Sequence, residues 1–261
     1  MPLPTFYISH GSPRLILEDS ASRDFMMGFA RSLPKPRAIV IASAHFGTSR
    51  PAVLGDAKPG MIYDFGGMPQ LRKLVYPAPG DPQVAIKVAG LWQAAGFEPA
   101  VVTGYGYDHG TWVPLMLLYP EADIPVVVIS VQPHMGPAHH VAVGRALASL
   151  RDENILVIGS GSMTHNLDEF YSSDLPGDAP AKPWVARFTD WVHGKIEAGA
   201  LDDLVNYRRL APHAVDNHPT DEHLMPLFIA IGAGANGSAK GRRIHSSTRS
   251  GVISMDTYAF G

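Results

Sequence analysis

Apolar residues along the chain fall into short continuous runs that alternate with longer segments of helical spacing. The short runs are rich in Val, Ile and Leu, as is typical of strands buried on both faces. They occupy residues 3–9, 37–43, 99–103, 125–131, 155–159 and 252–258. The segments with helical spacing occupy residues 19–32, 82–95, 111–119, 137–150, 183–199 and 221–233. This alternation predicts a single α/β domain over residues 1–261, a three-layer sandwich in which helices flank a central, largely parallel or mixed sheet.

Two stretches, residues 49–81 and 172–183, show neither pattern. Long loops in a compact domain often form the walls or lids of binding sites. We therefore expect the loops around Asp64 and Tyr76 to contribute walls to a binding site.

The composition narrows the function classes. The formal charge of -3 at pH 7 argues against the basic surface that a nucleic-acid-binding protein needs. The chain has no cysteine, which excludes disulfides, thiolate metal sites, cysteine nucleophiles and iron–sulfur clusters. Any metal must be bound through nitrogen or oxygen.

Pro or Gly interrupts the longest apolar runs, and the N-terminal residues lack the basic start and long apolar stretch of a secretory signal. We therefore predict a cytoplasmic protein with no membrane partner. The sequence leaves homo-oligomer formation open.

Histidines follow three of the predicted strands. His10 comes directly after the first strand and His45 two residues after the second, and His165 follows residues 155–159 through a Gly- and Ser-rich segment. In an open parallel sheet, ligands bind beyond the carboxyl ends of the strands. If the three strands are parallel, the three imidazoles lie on one edge of the sheet.

A fourth histidine, His223, belongs to a segment that opens a predicted helix. Thr220 is the expected N-cap, which places His223 in the first turn with its side chain directed back towards the crevice. Glu222 and His218 are competing ligands, and Pro226 indicates an irregular turn.

His109 stands beside Thr111, the expected N-cap of another helix, where a histidine can also bond to backbone alone. His134 also follows a strand and could compete for the site. The other histidines fit solvated surface positions.

Three neutral imidazoles on one divalent ion leave a net charge of +2 and open coordination positions. Such a site could hold zinc and activate water, or hold iron(II) and bind a chelating substrate together with dioxygen. The spacing of the residues does not choose between these two. A serine nucleophile is a poorer interpretation, because the glycines at Gly159 and Gly161 do not form the G-x-S-x-G pattern.

Seven short motifs then indicate a family. In order they are Ser9-His10-Gly11-Ser12-Pro13, Ser43-Ala44-His45-Phe46, Tyr63-Asp64-Phe65-Gly66-Gly67, Tyr76-Pro77-Ala78-Pro79-Gly80, Asp108-His109-Gly110-Thr111-Trp112, Thr164-His165-Asn166-Leu167 and Glu222-His223-Leu224-Met225-Pro226-Leu227. The ordered set resembles the class III extradiol ring-cleavage dioxygenases of the LigB-like superfamily, in their DOPA 4,5-dioxygenase-like branch. The resemblance covers residues 9 to about 230.

The resemblance implies a role for each histidine. His10, His45 and His223 match the metal ligands of that branch. His165 matches the acid–base histidine, and His109 matches a second histidine that contacts substrate or dioxygen. The implied reaction cleaves the ring of a DOPA-like or other small catechol with O2 and gives a muconic-semialdehyde-type product. Iron(II) is the expected metal for activity, although a purified form could carry zinc.

Some alternatives stay open. Because the protocatechuate branch uses a glutamate as its third ligand, Glu222 is an alternative to His223. Phe46 and Met68 depart from the Trp and Phe common in such sequences, which affects the expected substrate fit. The alternative functions are a zinc-dependent hydrolase on the same histidines and a non-catalytic, Memo-like binding protein. The presence of both His109 and His165 argues against the latter.

Overall fold

The computed structural model describes residues 2–32, 34–234 and 238–261. In this part of the chain, eight strands form one sheet: β1 (Thr5–Ser9), β2 (Ala38–Gly47), β3 (Ala52–Leu54), β4 (Ala100–Val102), β5 (Val126–Val131), β6 (Ile155–Gly161), β7 (Gly241–His245) and β10 (Thr257–Phe260). The short strands β8 (Thr248–Arg249) and β9 (Ile253–Ser254) pair separately as an antiparallel ribbon.

The large sheet is mixed and has the strand order β4-β3-β5-β2-β6-β1-β10-β7. Its central strands β5, β2, β6 and β1 are all parallel to their neighbours within this group. Strands β10 and β7 continue the sheet in antiparallel pairing, and β3 pairs antiparallel with β5. The predicted strand at residues 252–258 was wrong as a single element, since the chain there divides into β9 and β10.

Helices lie against both faces of the sheet. They are α1 (Ala21–Phe29), α2 (Pro82–Ala94), α3 (His109–Leu118), α4 (Gly136–Arg145), α5 (Leu167–Tyr171), α6 (Pro183–Ala198), α7 (Leu201–Val205), α8 (Tyr207–Leu210), α9 (Ala214–Asn217) and α10 (Met225–Gly234). All six predicted helices are present, with shifted ends. The helix predicted at residues 137–150 ends at Arg145, and a 3-10 helix over Ala148–Glu153 follows it.

The two faces of the sheet bury two separate cores. Val40 and Ala42 pack into the core that contains α2, α4, α6 and α10, whereas Ile39 and Ile41 pack into the core that contains α1 and α3. Successive side chains of a strand point to opposite faces, so a continuous apolar run supplies both cores. The three-layer α/β sandwich predicted from these runs is confirmed.

Within the described residues, no helix has the length and apolar character needed to span a bilayer.

Candidate metal centre and catalytic cavity

The parallel order β2-β6-β1 brings three strand ends together at one edge of the sheet. His10 directly follows β1, and His165 lies four residues beyond the end of β6. His45 differs from the prediction because β2 extends to Gly47, so His45 lies inside the strand. The pairing of β2 with β5 shifts register between Ala42 and Gly47, so this last part of β2 is irregular.

His109 is the first residue of α3. The N-cap is Asp108, whose carboxylate accepts a hydrogen bond from the backbone N–H of Thr111 at 3.0 Å, so the expected Thr111 cap was wrong. Asp108 is completely buried, which raises its pKa, and it also accepts a hydrogen bond from Ser43. Gly110 allows α3 to approach β2, because a Cβ there would lie 2.9 Å from Cδ2 of His45.

His223 lies in the turn before α10. The backbone N–H of Ser162, directly after β6, donates to its carbonyl at 2.9 Å. Gly161 is required for this contact, since a Cβ there would lie 2.1 Å from the same carbonyl oxygen. The expected Thr220 cap was wrong: its hydroxyl bonds to the carboxylate of Glu222, and the helix begins only at Met225.

Four imidazoles gather beyond the strand ends. The ring centroids of His10 and His45 lie 5.1 Å apart, and the centroid of His223 lies 5.6 Å from the first and 4.9 Å from the second. His109 completes the group, with its centroid 3.9 Å from that of His45. Residues more than 200 positions apart in the sequence thus share one small volume.

Hydrogen bonds fix which ring nitrogen is free in His10 and in His223. The hydroxyl of Ser160 donates to the carbonyl of Gly110, so its oxygen accepts from Nδ1–H of His10, at 3.0 Å. Nδ1 of His223 donates to Glu222 at 2.9 Å. In both rings the lone pair therefore resides on Nε2. Partners of this kind on the far nitrogen are characteristic of metal-binding histidines.

The free nitrogens fit a divalent cation. Nε2 of His10 and Nε2 of His45 face each other at 3.2 Å. Two imidazole nitrogens bonded to one ion at about 2.0–2.1 Å lie roughly 3.0–3.4 Å apart. Nε2 of His223 is buried and has no hydrogen-bond partner among the described residues. A buried nitrogen without a partner is costly unless something else binds it.

Among the described residues, the ring nitrogens and carboxylate oxygens that lie close enough to share one ion form two sets. The first is His10, His45 and His109, and the second is His165, Glu222 and His223, with the ligand atoms of each set within 4.8 Å of one another. Burial, reinforced by the neighbouring histidines, lowers the pKa values of His10 and His223 far below the ordinary range. Burial and the charge of His109 lower that of His45 to about 3. The imidazoles of His10, His45 and His223 are therefore neutral near pH 7, as metal ligands must be.

His165 stacks on His223. Their ring centroids lie 3.4 Å apart at an interplanar angle of 12°, and His165 lines the cavity described below. Burial, with a smaller contribution from His218, lowers the pKa of His165 to about 4. The imidazole of His165 is therefore neutral near pH 7.

The competing histidines point elsewhere. Nε2 of His218 donates to the carbonyl of Met163 at 2.9 Å, and the ring packs against Phe188. His134 is exposed and lies outside the cavity lining. Glu222 bonds to the far nitrogen of His223, an arrangement that orients a ligand.

Asp64 contacts two histidines of the cluster, which the sequence did not reveal. One carboxylate oxygen accepts from both Nδ1 and the backbone N–H of His109, at 2.8 and 3.1 Å. The other lies 3.4 Å from Nδ1 of His45. Burial raises the pKa of Asp64, but the hydrogen bond from His109 and the charges of both histidines outweigh it and hold the pKa below its ordinary value. The motif at residues 63–67 indicated that this loop matters, but only the folded loop shows that Asp64 contacts His109 and His45.

A cavity of about 300 Å³ opens onto the histidines, at the small end of the range for small-molecule sites. Met68 belongs to its lining, whereas Phe46 stacks on Tyr105 outside it. Tyr76 is buried and donates to the carbonyl of Tyr119, so its loop does not form the expected wall. The walls are mainly apolar, and the residues that enclose the cavity besides Met68 include His10, His45, Asp64, Phe65, His109, His165, Phe170, Arg249, Ile253 and Met255.

Comparisons with known proteins show the family of the chain. The family described as the catalytic LigB subunit of aromatic ring-opening dioxygenase matches residues 4–261. A protein of Beta vulgaris named 4,5-DOPA dioxygenase extradiol is 40% identical over 261 residues, which cover 98% of this chain and 96% of that protein. An Escherichia coli K12 protein of the same name is 37% identical over 239 residues, 88% of this chain and 85% of its own length. The crystal structure of an uncharacterised Escherichia coli K12 protein has a TM-score of 0.81 and 32% identity, and the match covers 99% of this chain and 100% of that one. The chain therefore belongs to the family of the catalytic LigB subunit of aromatic ring-opening dioxygenases.

Proposed function

We propose that this chain opens the ring of a small, DOPA-like catechol beside its two hydroxyls, with iron(II) held by His10, His45 and His223. The chain is an extradiol dioxygenase by family, and its full-length relatives carry that activity in their names. Both atoms of O2 enter the product, a muconic semialdehyde. The family match favours this reaction over the zinc hydrolase and the non-catalytic binding protein.

The observation that carries the ligand assignment is the buried Nε2 of His223, which has no partner among the described residues. Its ring centroid lies 4.9 Å from that of His45 and 5.6 Å from that of His10, and the Nε2 atoms of those two rings face each other. When bound there, iron(II) supplies the redox chemistry between catechol and dioxygen that zinc lacks. Three neutral imidazoles leave coordination positions for a substrate that chelates through two oxygens.

The other residues of the cavity transfer protons to and from the substrate and hold it in position. His165 lines the cavity and lies flat on His223, so a catechol bound at the metal centre is within its reach. It is suited to accept a proton from a catechol hydroxyl and to return one as the ring opens. His109 gives its Nδ1–H to Asp64, which leaves Nε2 for substrate or dioxygen. Apolar side chains such as Phe65 and Met255 limit the access of water to the ring.

The test is reconstitution of the metal-free protein with iron(II) under anaerobic conditions, followed by addition of oxygen and a panel of catechols. We expect consumption of one O2 per catechol and a yellow semialdehyde product. Protein loaded with zinc is the matched control and should consume no oxygen. Equal activity of the two metal forms would contradict the iron assignment, and no ring cleavage by the iron form with any catechol would contradict the proposed function.

A further inference from the structure

The charged side chains that line the cavity, Asp64 and Arg249, belong to different parts of its wall. One end, called here the metal end, is formed by the histidines that face the cavity and by Asp64, which accepts hydrogen bonds from His109 and lies 3.4 Å from Nδ1 of His45. Arg249 is the one lysine or arginine among the described residues that line the cavity. An arginine side chain keeps its positive charge at any physiological pH, so its guanidinium is the permanent cation that a substrate would meet in this cavity.

Arg249 is held on a defined wall. It lies in β8 and pairs with Ile253 of β9, and both residues line the cavity. Two residues further on, Met255 reaches the metal end, since a Cβ at Gly11 would lie 2.9 Å from its terminal methyl. One wall thus runs from the residue next to His10 out to Arg249.

An ion pair with Glu18 positions the guanidinium of Arg249 and leaves some of its N–H donors unused. Nη2 of Arg249 donates to Glu18, and Nη1 of Arg14 lies 3.6 Å from the same carboxylate. The three side chains together carry a net charge of +1. A guanidinium has five N–H donors in a planar fork that matches a carboxylate, and within the described residues only Glu18 accepts one from this side chain.

We infer that Arg249 recognises a carboxylate on the substrate's side chain, so that the enzyme selects catechols that carry an acidic substituent opposite the diol. This inference rests on the proposed function, because it takes the diol to be bound at the histidines. The apolar walls between the two ends would receive the ring. The contact is the same in the ground state and during ring opening, so it lowers KM more than it raises kcat.

The experiment compares 3-(3,4-dihydroxyphenyl)propanoate with its methyl ester, which has the same ring without the charge. The iron-loaded wild type should prefer the acid, and added salt should weaken this preference by screening the charge. Arg249→Gln should raise KM for the acid on the order of 10- to 100-fold, as for a hydrogen bond to a charged group, and change KM for the ester less than about twofold. Arg249→Lys keeps the charge and should lose less.

Arg50→Gln is the control that removes one positive charge elsewhere, since Arg50 is exposed and lies outside the cavity lining. It should leave the ratio between acid and ester unchanged. A wild type with no preference for the acid, or an equal loss for acid and ester in Arg249→Gln, would overturn the inference while ring cleavage itself stands. If the iron-loaded wild type cleaves neither compound nor any other catechol, the proposed function fails instead.

Discussion

Asp64→Asn should weaken metal binding and slow turnover, because this carboxylate orients two histidines of the centre at once. One oxygen accepts two hydrogen bonds from His109, and the other lies 3.4 Å from Nδ1 of His45. An amide keeps one acceptor oxygen but presents an N–H₂ group in place of the second, so it cannot accept from both rings. Loss of such a partner typically costs about 10- to 100-fold in metal affinity or activity. We expect the same range here.

The assay is a metal titration of the metal-free protein under anaerobic conditions, followed by catechol turnover at saturating iron(II). Asp190→Asn provides the control, because Asp190 is an exposed carboxylate on α6. It should behave like the wild type in both measurements. If Asp64→Asn binds iron(II) with wild-type affinity and turns over catechol at the wild-type rate, the positioning role of Asp64 is refuted.

Three further predictions follow from the site and the core. His165→Ala should keep its metal but lose about 10²- to 10⁴-fold in turnover, as for a positioned acid–base group, while His134→Ala keeps wild-type activity; wild-type turnover in the first variant would refute the role of His165. His223→Ala should lose bound metal on elemental analysis, and one metal per chain in that variant would show that another residue is the third ligand. Burial lowers the pKa of His140 to about 4, so between about pH 6.5 and pH 4 the unfolded chain binds a proton at this residue that the folded chain does not. The free energy of unfolding should therefore fall as the pH is lowered through this range. Urea unfolding across this range should show His140→Gln losing less stability than the wild type, by up to about 3 kcal/mol, and parallel curves would contradict this.

The sequence predicted the histidine cluster because the pattern of buried strands implies parallel pairing. His10 and His165 follow β1 and β6, which lie side by side in the sheet. His45 was expected just beyond the end of the second strand, at residue 43, whereas β2 extends to Gly47. His45 still lies at the same edge of the sheet, because the strand is only four residues longer than predicted. Apolar runs and strand ends are local features, which explains why a single sequence reveals them.

Contacts between distant loops were beyond the reach of the sequence. The partners of Asp64 depend on how residues 49–81 pass over the sheet, and apolar periodicity does not determine such a path. Arg249 lies in a two-residue strand near the end of the chain, outside the motifs that indicated the family. The starts of α3 and α10 were misplaced because Thr111 and Thr220 both suit an N-cap. In the folded chain Asp108 is the N-cap of α3, and α10 begins only at Met225.

The most direct test of the central claim is a crystal structure of the iron(II)-loaded protein, grown without oxygen, with the ion located by its anomalous scattering. We predict one iron within bonding distance of Nε2 of His10, His45 and His223, with His109 and His165 beside it but not bonded to it. An ion bound by His10, His45 and His109 without His223, or one bound by His165 and Glu222, would contradict the account.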